Sequence, residues 1–97
     1  MEIIENEIVI DRIKNIFPQC VILKEWQNKP FWHVEFAISS IIIEIDGDIS
    51  FDIVLYIDNS KYYLWQYDRK VLDYRNTTLQ NIVIQLEILR EFILASK

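Results

Sequence analysis

Apolar residues recur along this chain with two different periods, and each change of period marks a new element. Between Ile3 and Phe17, residues Val9, Ile13, Ile16 and Phe17 return at helical spacing with Ile10 beside them. Glu2, Glu5, Glu7, Asp11 and Lys14 are interleaved, with acids early and the lysine late, as a helix dipole favours. Pro18 closes this predicted helix, because the residue before a proline is pushed out of the α region.

From Cys20 to Trp26 the chain reads as a strand, and Gln27-Asn28-Lys29-Pro30 as a turn. Phe31 to Ile38 then alternates: Trp32, Val34, Phe36 and Ile38 share one face, while Phe31, His33, Glu35 and Ala37 share the other. Beyond Ser39-Ser40 the apolar positions switch parity to Ile41, Ile43 and Ile45, so a bulge, a sharp bend or a break into two strands is expected there.

Two hairpins follow. After Asp46-Gly47-Asp48 the alternating set is Ile49, Phe51, Ile53, Leu55 and Ile57. An odd loop keeps one face apolar by pairing Ile45 with Ile49, Ile43 with Phe51 and Ile41 with Ile53. The next hairpin is expected to turn at Asn59-Ser60, placing Asp58 opposite Lys61, Ile57 opposite Tyr62 and Leu55 opposite Leu64. Its second face then carries an aromatic cluster of Tyr56, Tyr63, Trp65 and Tyr67 beside Val54. Arg69 to Tyr74 reads as a short strand or a connector.

The last element is a helix from Thr77 or Thr78 to about Ala95, with Gln80 placed for a capping box on Thr77. Its main stripe is Leu79, Ile82, Val83, Leu86, Leu89 and Ile93, and a second stripe of Ile84, Ile88 and Phe92 lies roughly opposite. The expected fold is α+β, in two layers: a mainly antiparallel meander of about four strands flanked by N- and C-terminal helices, α-β-β-β-β-α.

Composition narrows what such a scaffold does. Ninety-seven residues make one domain, 1–97, and 52% hydrophobic residues exclude disorder. The balance of 10 basic and 15 acidic residues gives −5, which disfavours duplex nucleic acid or an anionic membrane and permits a basic protein partner. The single Cys20 cannot form an internal disulfide, the opening Met1-Glu2-Ile3-Ile4-Glu5 has no basic leader, and no apolar run reaches bilayer length. A cytoplasmic protein is expected.

Candidate chemistry is sparse. One glycine excludes a Gly-rich phosphate loop, and His33, the one histidine, gives no histidine-based metal cluster. Cys20 and His33 make a catalytic pair only if they meet across the first hairpin, with no third group to orient them. Glu44, Asp46, Asp48 and Asp52 gather near one hairpin without a calcium-loop pattern, so a solvated acidic edge is expected. No enzyme activity, cofactor or metal is expected from the sequence.

What remains is a surplus of apolar surface for a chain this size. Tyr56, Tyr63, Trp65, Tyr67, Ile84, Ile88 and Phe92 are the candidate interface, since exposed tyrosine and tryptophan are where binding energy concentrates. The leading expectation is a small acidic, non-enzymatic interaction protein, either a self-associating subunit such as a homodimer or an inhibitor or immunity-type binder of a larger partner. The alternative is a single-stranded nucleic-acid binder stacking bases on Tyr63, Trp65 and Tyr67, and a small enzyme stands third.

Overall fold

The computed structural model describes residues 4–95. Helix α1 (Asn6–Ile16) leads into strands β1 (Val21–Asn28), β2 (Phe31–Ile38), β3 (Ile41–Gly47), β4 (Phe51–Ile57) and β5 (Ser60–Tyr63). A short helix α2 (Leu64–Tyr67) and a 3-10 helix (Arg69–Tyr74) then connect to α3 (Leu79–Ala95). The strands form one five-stranded antiparallel meander in which spatial order follows chain order. The α+β architecture with terminal helices is as the periodicity predicts, with one strand more than expected.

The parity switch at Ser39-Ser40 is a break. Ile38 pairs with Ile41 across a tight turn in which Ser39 has φ 54°, and the apolar faces of β2 and β3 thereby coincide. Val34 lies opposite Ile45, and Phe36 opposite Ile43. All four are buried.

The next two hairpins keep the predicted faces but not the predicted registers. Ile45 pairs with Ile53, Ile43 with Leu55 and Gly47 with Phe51, so the odd loop is Asp48-Ile49-Ser50 and Ile49, placed in the strand by its periodicity, is 65% exposed. The cause is the Trp32 indole, which lies against Gly47 and needs that residue inside the strand. In the β4–β5 hairpin, Ile57 pairs with Ser60, Leu55 with Tyr62 and Val54 with Tyr63, so the turn is Asp58-Asn59 rather than Asn59-Ser60. Both turn residues have positive φ, 50° and 67°, which Asp and Asn tolerate better than Ser.

Strand β1 carries an irregularity at Leu23: Ile22 pairs with Phe36, but Lys24 pairs with Glu35. The extra residue switches parity, so Glu25 and Gln27 face the same side as Ile22. There they meet α1, where Asn6 Nδ2 donates to Glu25, Asn6 N donates to Gln27 Oε1 at 3.3 Å, and Gln27 Nε2 donates to the Ile4 carbonyl at 2.7 Å.

Helices α1 and α3 touch each other and contribute to one apolar cluster with a single face of the sheet. Val9 and Ile13 from α1 join Trp32, Val34, Phe36, Ile43, Ile45, Phe51, Ile53 and Leu55 from the strands, and Ile82, Leu86, Leu89 and Ile93 from α3. Each large apolar side chain hidden this way contributes about 1.5–3 kcal/mol. Thr78, not Thr77, caps α3, accepting from Asn81 N at 3.1 Å; the Thr77 hydroxyl is buried without a partner, so the capping box with Gln80 does not form. Gln85, a polar residue in the buried stripe, donates from Nε2 to the Tyr74 carbonyl at 2.7 Å and ties α3 to the 3-10 helix. Among the described residues, no helix is long and apolar enough to cross a membrane.

Candidate functional site

With α1 and α3 on one side, neither long helix covers the other face of the sheet, and α2 and the 3-10 helix border it only beside Asp52 and Tyr63. The side chains of that face form cross-strand rows. Trp26, His33, Asp46 and Asp52 stand directly opposite one another on β1 to β4; Lys24, Glu35, Glu44, Val54 and Tyr63 make the next row across all five strands; Val21, Ala37, Ile42, Tyr56 and Lys61 follow. This places Glu35 against Glu44 and Asp46 against Asp52. Like charges directly opposite destabilise a ladder, so their pairing here requires compensation.

Compensation comes from Arg75 and His33. Arg75, just after the 3-10 helix, grips Asp52 with both ends of its fork, Nε to Oδ1 at 3.2 Å and Nη2 to Oδ2 at 3.0 Å. His33 serves the other acids: its Nδ1 bonds Asp46, and its Nε2 lies 3.3 Å from Glu35 Oε2. Trp26 stacks on the imidazole, with ring centroids 5.6 Å apart and planes 12° apart. His33 is thus only 7% exposed on a face that neither long helix covers, while Trp26 remains 43% exposed.

This environment perturbs two groups. Burial pulls the His33 pKa down, but hydrogen bonds to Asp46 and Glu35 and the charges of both acids outweigh it, leaving it above the usual 6.5. Burial raises the Glu44 carboxyl above 4.5, helped by the charge and hydrogen bond of Asp46 and the charge of Glu35, against the opposing pull of His33. Both folded values are raised, so both groups stabilise the fold most below their unfolded pKa and lose that contribution as pH rises through the folded value. The melting temperature, measured in chelator-containing buffer, should therefore decline as pH rises from about 4.5 past 6.5, the ordinary values above which the two groups are shifted. A His33→Gln, Glu44→Gln double variant should flatten that slope, and an unchanged slope would remove these groups as its cause.

The aromatics of the candidate interface separate. Tyr56 and Tyr63 stand on the open face, and Trp65, from α2, stacks on Tyr63 at 5.9 Å, with Lys61 Nζ 5.4 Å from the Tyr63 ring centre. Tyr67 does not join them. Strand β5 ends at Tyr63, and the helical turn that follows carries Tyr67 to Phe92, edge to face at 4.8 Å. Ile88 is buried and Ile84 and Phe92 are half-buried against the core, so the second stripe of α3 is largely spent inside the molecule.

Cys20 and His33 do not meet. Val21 pairs with Ala37 at one end of the β1–β2 ladder and Trp26 with His33 near the other. Cys20 instead borders a hollow with Phe17, Ile38 and Ile93, where burial raises its thiol pKa against the lowering influence of Lys14. The acidic edge around the β3–β4 hairpin also resolves differently. Asp48 caps its own loop by accepting from Ser50 N at 3.2 Å, and Asp52 belongs to Arg75, leaving Glu44 and Asp46 to join His33 and Glu35.

Glu35 was not singled out by sequence reasoning, and neither was Trp26. The signal existed in the parity of β2, which places His33 and Glu35 together, but it needed the register of the Ser39-Ser40 turn to bring Glu44 and Asp46 alongside. Comparison with protein-family models, curated proteins and solved structures finds no match for this chain.

Proposed function

We propose that this protein is a non-enzymatic binding module whose open sheet face takes a cationic segment of a partner protein, as a small acidic inhibitor would. The observation that carries this reading is the cross-strand pairing of Glu35 with Glu44 at the centre of a face that neither long helix covers. Aromatic side chains stand on the same face: Trp26, Tyr56, Tyr63 and Trp65 offer stacking surfaces for arginine or lysine beside carboxylates that accept their hydrogen bonds. Glu35, Glu44 and Asp46 share one imidazole, whereas Arg75 is already committed to Asp52 and Lys61 lies over Tyr63.

Charge also selects among occupants. A second copy laid directly over this face would bring acid against acid, and a phosphate backbone would meet the same carboxylates. Tyr67, one of the three aromatics a base-stacking platform needs, points to Phe92 instead.

The test is selective capture from cell extract at moderate salt, in chelator. Immobilised wild-type protein should retain a basic protein that elevated salt releases. The Glu35→Lys, Glu44→Lys variant should bind it at least about 30-fold more weakly, the equivalent of about 2 kcal/mol. Reversing Glu87 and Glu91, exposed on α3, should leave retention intact. Equal retention by both variants would overturn the reading. So would a stable dimer that Tyr56→Asp dissociates, which would assign the face to self-association.

A further inference from the structure

We propose that His33, Glu35 and Glu44 form a binding site for a divalent transition-metal ion of the zinc class. One ligand atom from each residue lies within 4.8 Å of the others, and the His33 Nε2 to Glu35 Oε2 separation is already 3.3 Å. Zinc bonds of about 2.0–2.2 Å to nitrogen and oxygen require neighbouring ligand atoms roughly 3.3–3.5 Å apart. The remaining gap, at most 4.8 Å between ligand atoms, falls to the Glu44 carboxylate, whose terminal torsion is soft.

The surroundings of the imidazole argue for a site beyond a patch of acids. His33 Nδ1 is held by Asp46, so the ring is oriented with Nε2 toward Glu35, and Glu44 completes the group within 4.8 Å. A histidine held by a carboxylate at one nitrogen and presenting the other is the arrangement that metal-ligating histidines adopt, because it fixes the ring and raises ligand basicity. Trp26 closes one side of the ring, and the sheet holds Glu35 and Glu44 on paired positions of β2 and β3, with His33 two residues before Glu35 on β2. The donor set of one imidazole nitrogen and two carboxylates suits zinc, manganese or cobalt. It is poor for calcium, which takes 6–8 oxygen ligands. Solvent on the uncovered side supplies the remaining positions.

This inference does not depend on a protein partner, because its test uses the chain and metal alone. Wild-type protein, stripped with chelator, is titrated with zinc by calorimetry, and with cobalt while the visible d–d spectrum is recorded. One metal per chain is expected, with a cobalt spectrum of mixed nitrogen and oxygen coordination. Glu44→Gln and His33→Gln should each remove that spectrum, and Asp46→Asn should weaken zinc binding about 10–100-fold through the ring it orients. Asp48→Asn, outside the set, should bind as wild type does. Circular dichroism of each variant confirms that its fold is retained. Failure of the wild type to bind zinc, or equal binding by Glu44→Gln and wild type, would overturn the site. Calcium binding as tight as zinc binding would overturn the role of His33.

Discussion

Gly47→Ala should lower the stability of this protein by about 3 kcal/mol, although only one methyl group is added. A Cβ at this position would lie 2.3 Å from Trp32 Cε2 and 2.4 Å from both Cζ2 and Nε1. Those are ring atoms of a tryptophan that is 1% exposed, so the obstacle is a rigid plane inside the core. Gly47 does not have positive φ, so the requirement is for space and not for an unusual backbone. For a domain of this size, about 3 kcal/mol corresponds to a fall in Tm of roughly 12–24 °C. Pairing the change with Trp32→Phe should recover part of the loss in a double-mutant cycle, because the smaller ring vacates the contested space. A Tm within a few degrees of wild type would show that the indole moves aside freely.

The second large effect distinguishes the two faces of one strand. Phe36 and Phe31 both lie on β2, but Phe36 is fully buried and packs 6.1 Å from the Phe17 ring, while Phe31 is 49% exposed. Phe36→Ala should cost about 3–5 kcal/mol, the usual range for removing a buried phenyl group. Phe31→Ala should stay within about 0.5 kcal/mol. Chemical denaturation of both variants checks the difference. Equal losses would mean that the face bearing Phe31 is covered, and the binding surface proposed for it would disappear.

The fold was legible in the sequence because its main signals are local. The period of α1 and α3, the alternation of β2 and the parity switch at Ser39-Ser40 each follow from residues close together in the chain. Register was less legible, because distant residues decide it. The β3–β4 loop sits at Asp48-Ile49-Ser50 because Trp32, on β2, needs a glycine beneath its ring. The periodic run from Ile49 onward carries no trace of that demand. At β4–β5 the backbone geometry of Asp58-Asn59 decides the turn, and the end of β5 at Tyr63, where α2 begins, carries Tyr67 out of the aromatic cluster.

The candidate site inherits that limitation. His33 and Glu35 share a parity, and so do Glu44 and Asp46, but only the completed ladder puts the two pairs side by side. A lone histidine gave no reason to expect the proposed metal site, since Glu35 alone shares its strand and Glu44 comes from the neighbouring one. Gln85 was equally hidden, as a polar residue in an apolar stripe whose acceptor is the Tyr74 carbonyl outside its own helix.

The irregularity at Leu23 has a consequence for how the protein behaves in a crowded solution. Strand β1 is the long outer margin of the sheet, and Val21, Leu23 and Trp26 are all exposed along it. An uninterrupted margin of this kind is a template on which a stray chain can add itself and begin an aggregate. The extra residue kinks the row of outward amides before Lys24, so an incoming strand loses step with it partway along. At the opposite margin, β5 is only four residues long before the backbone coils into α2. The sheet therefore ends on one side in a bend and on the other in a stub, and neither invites indefinite growth.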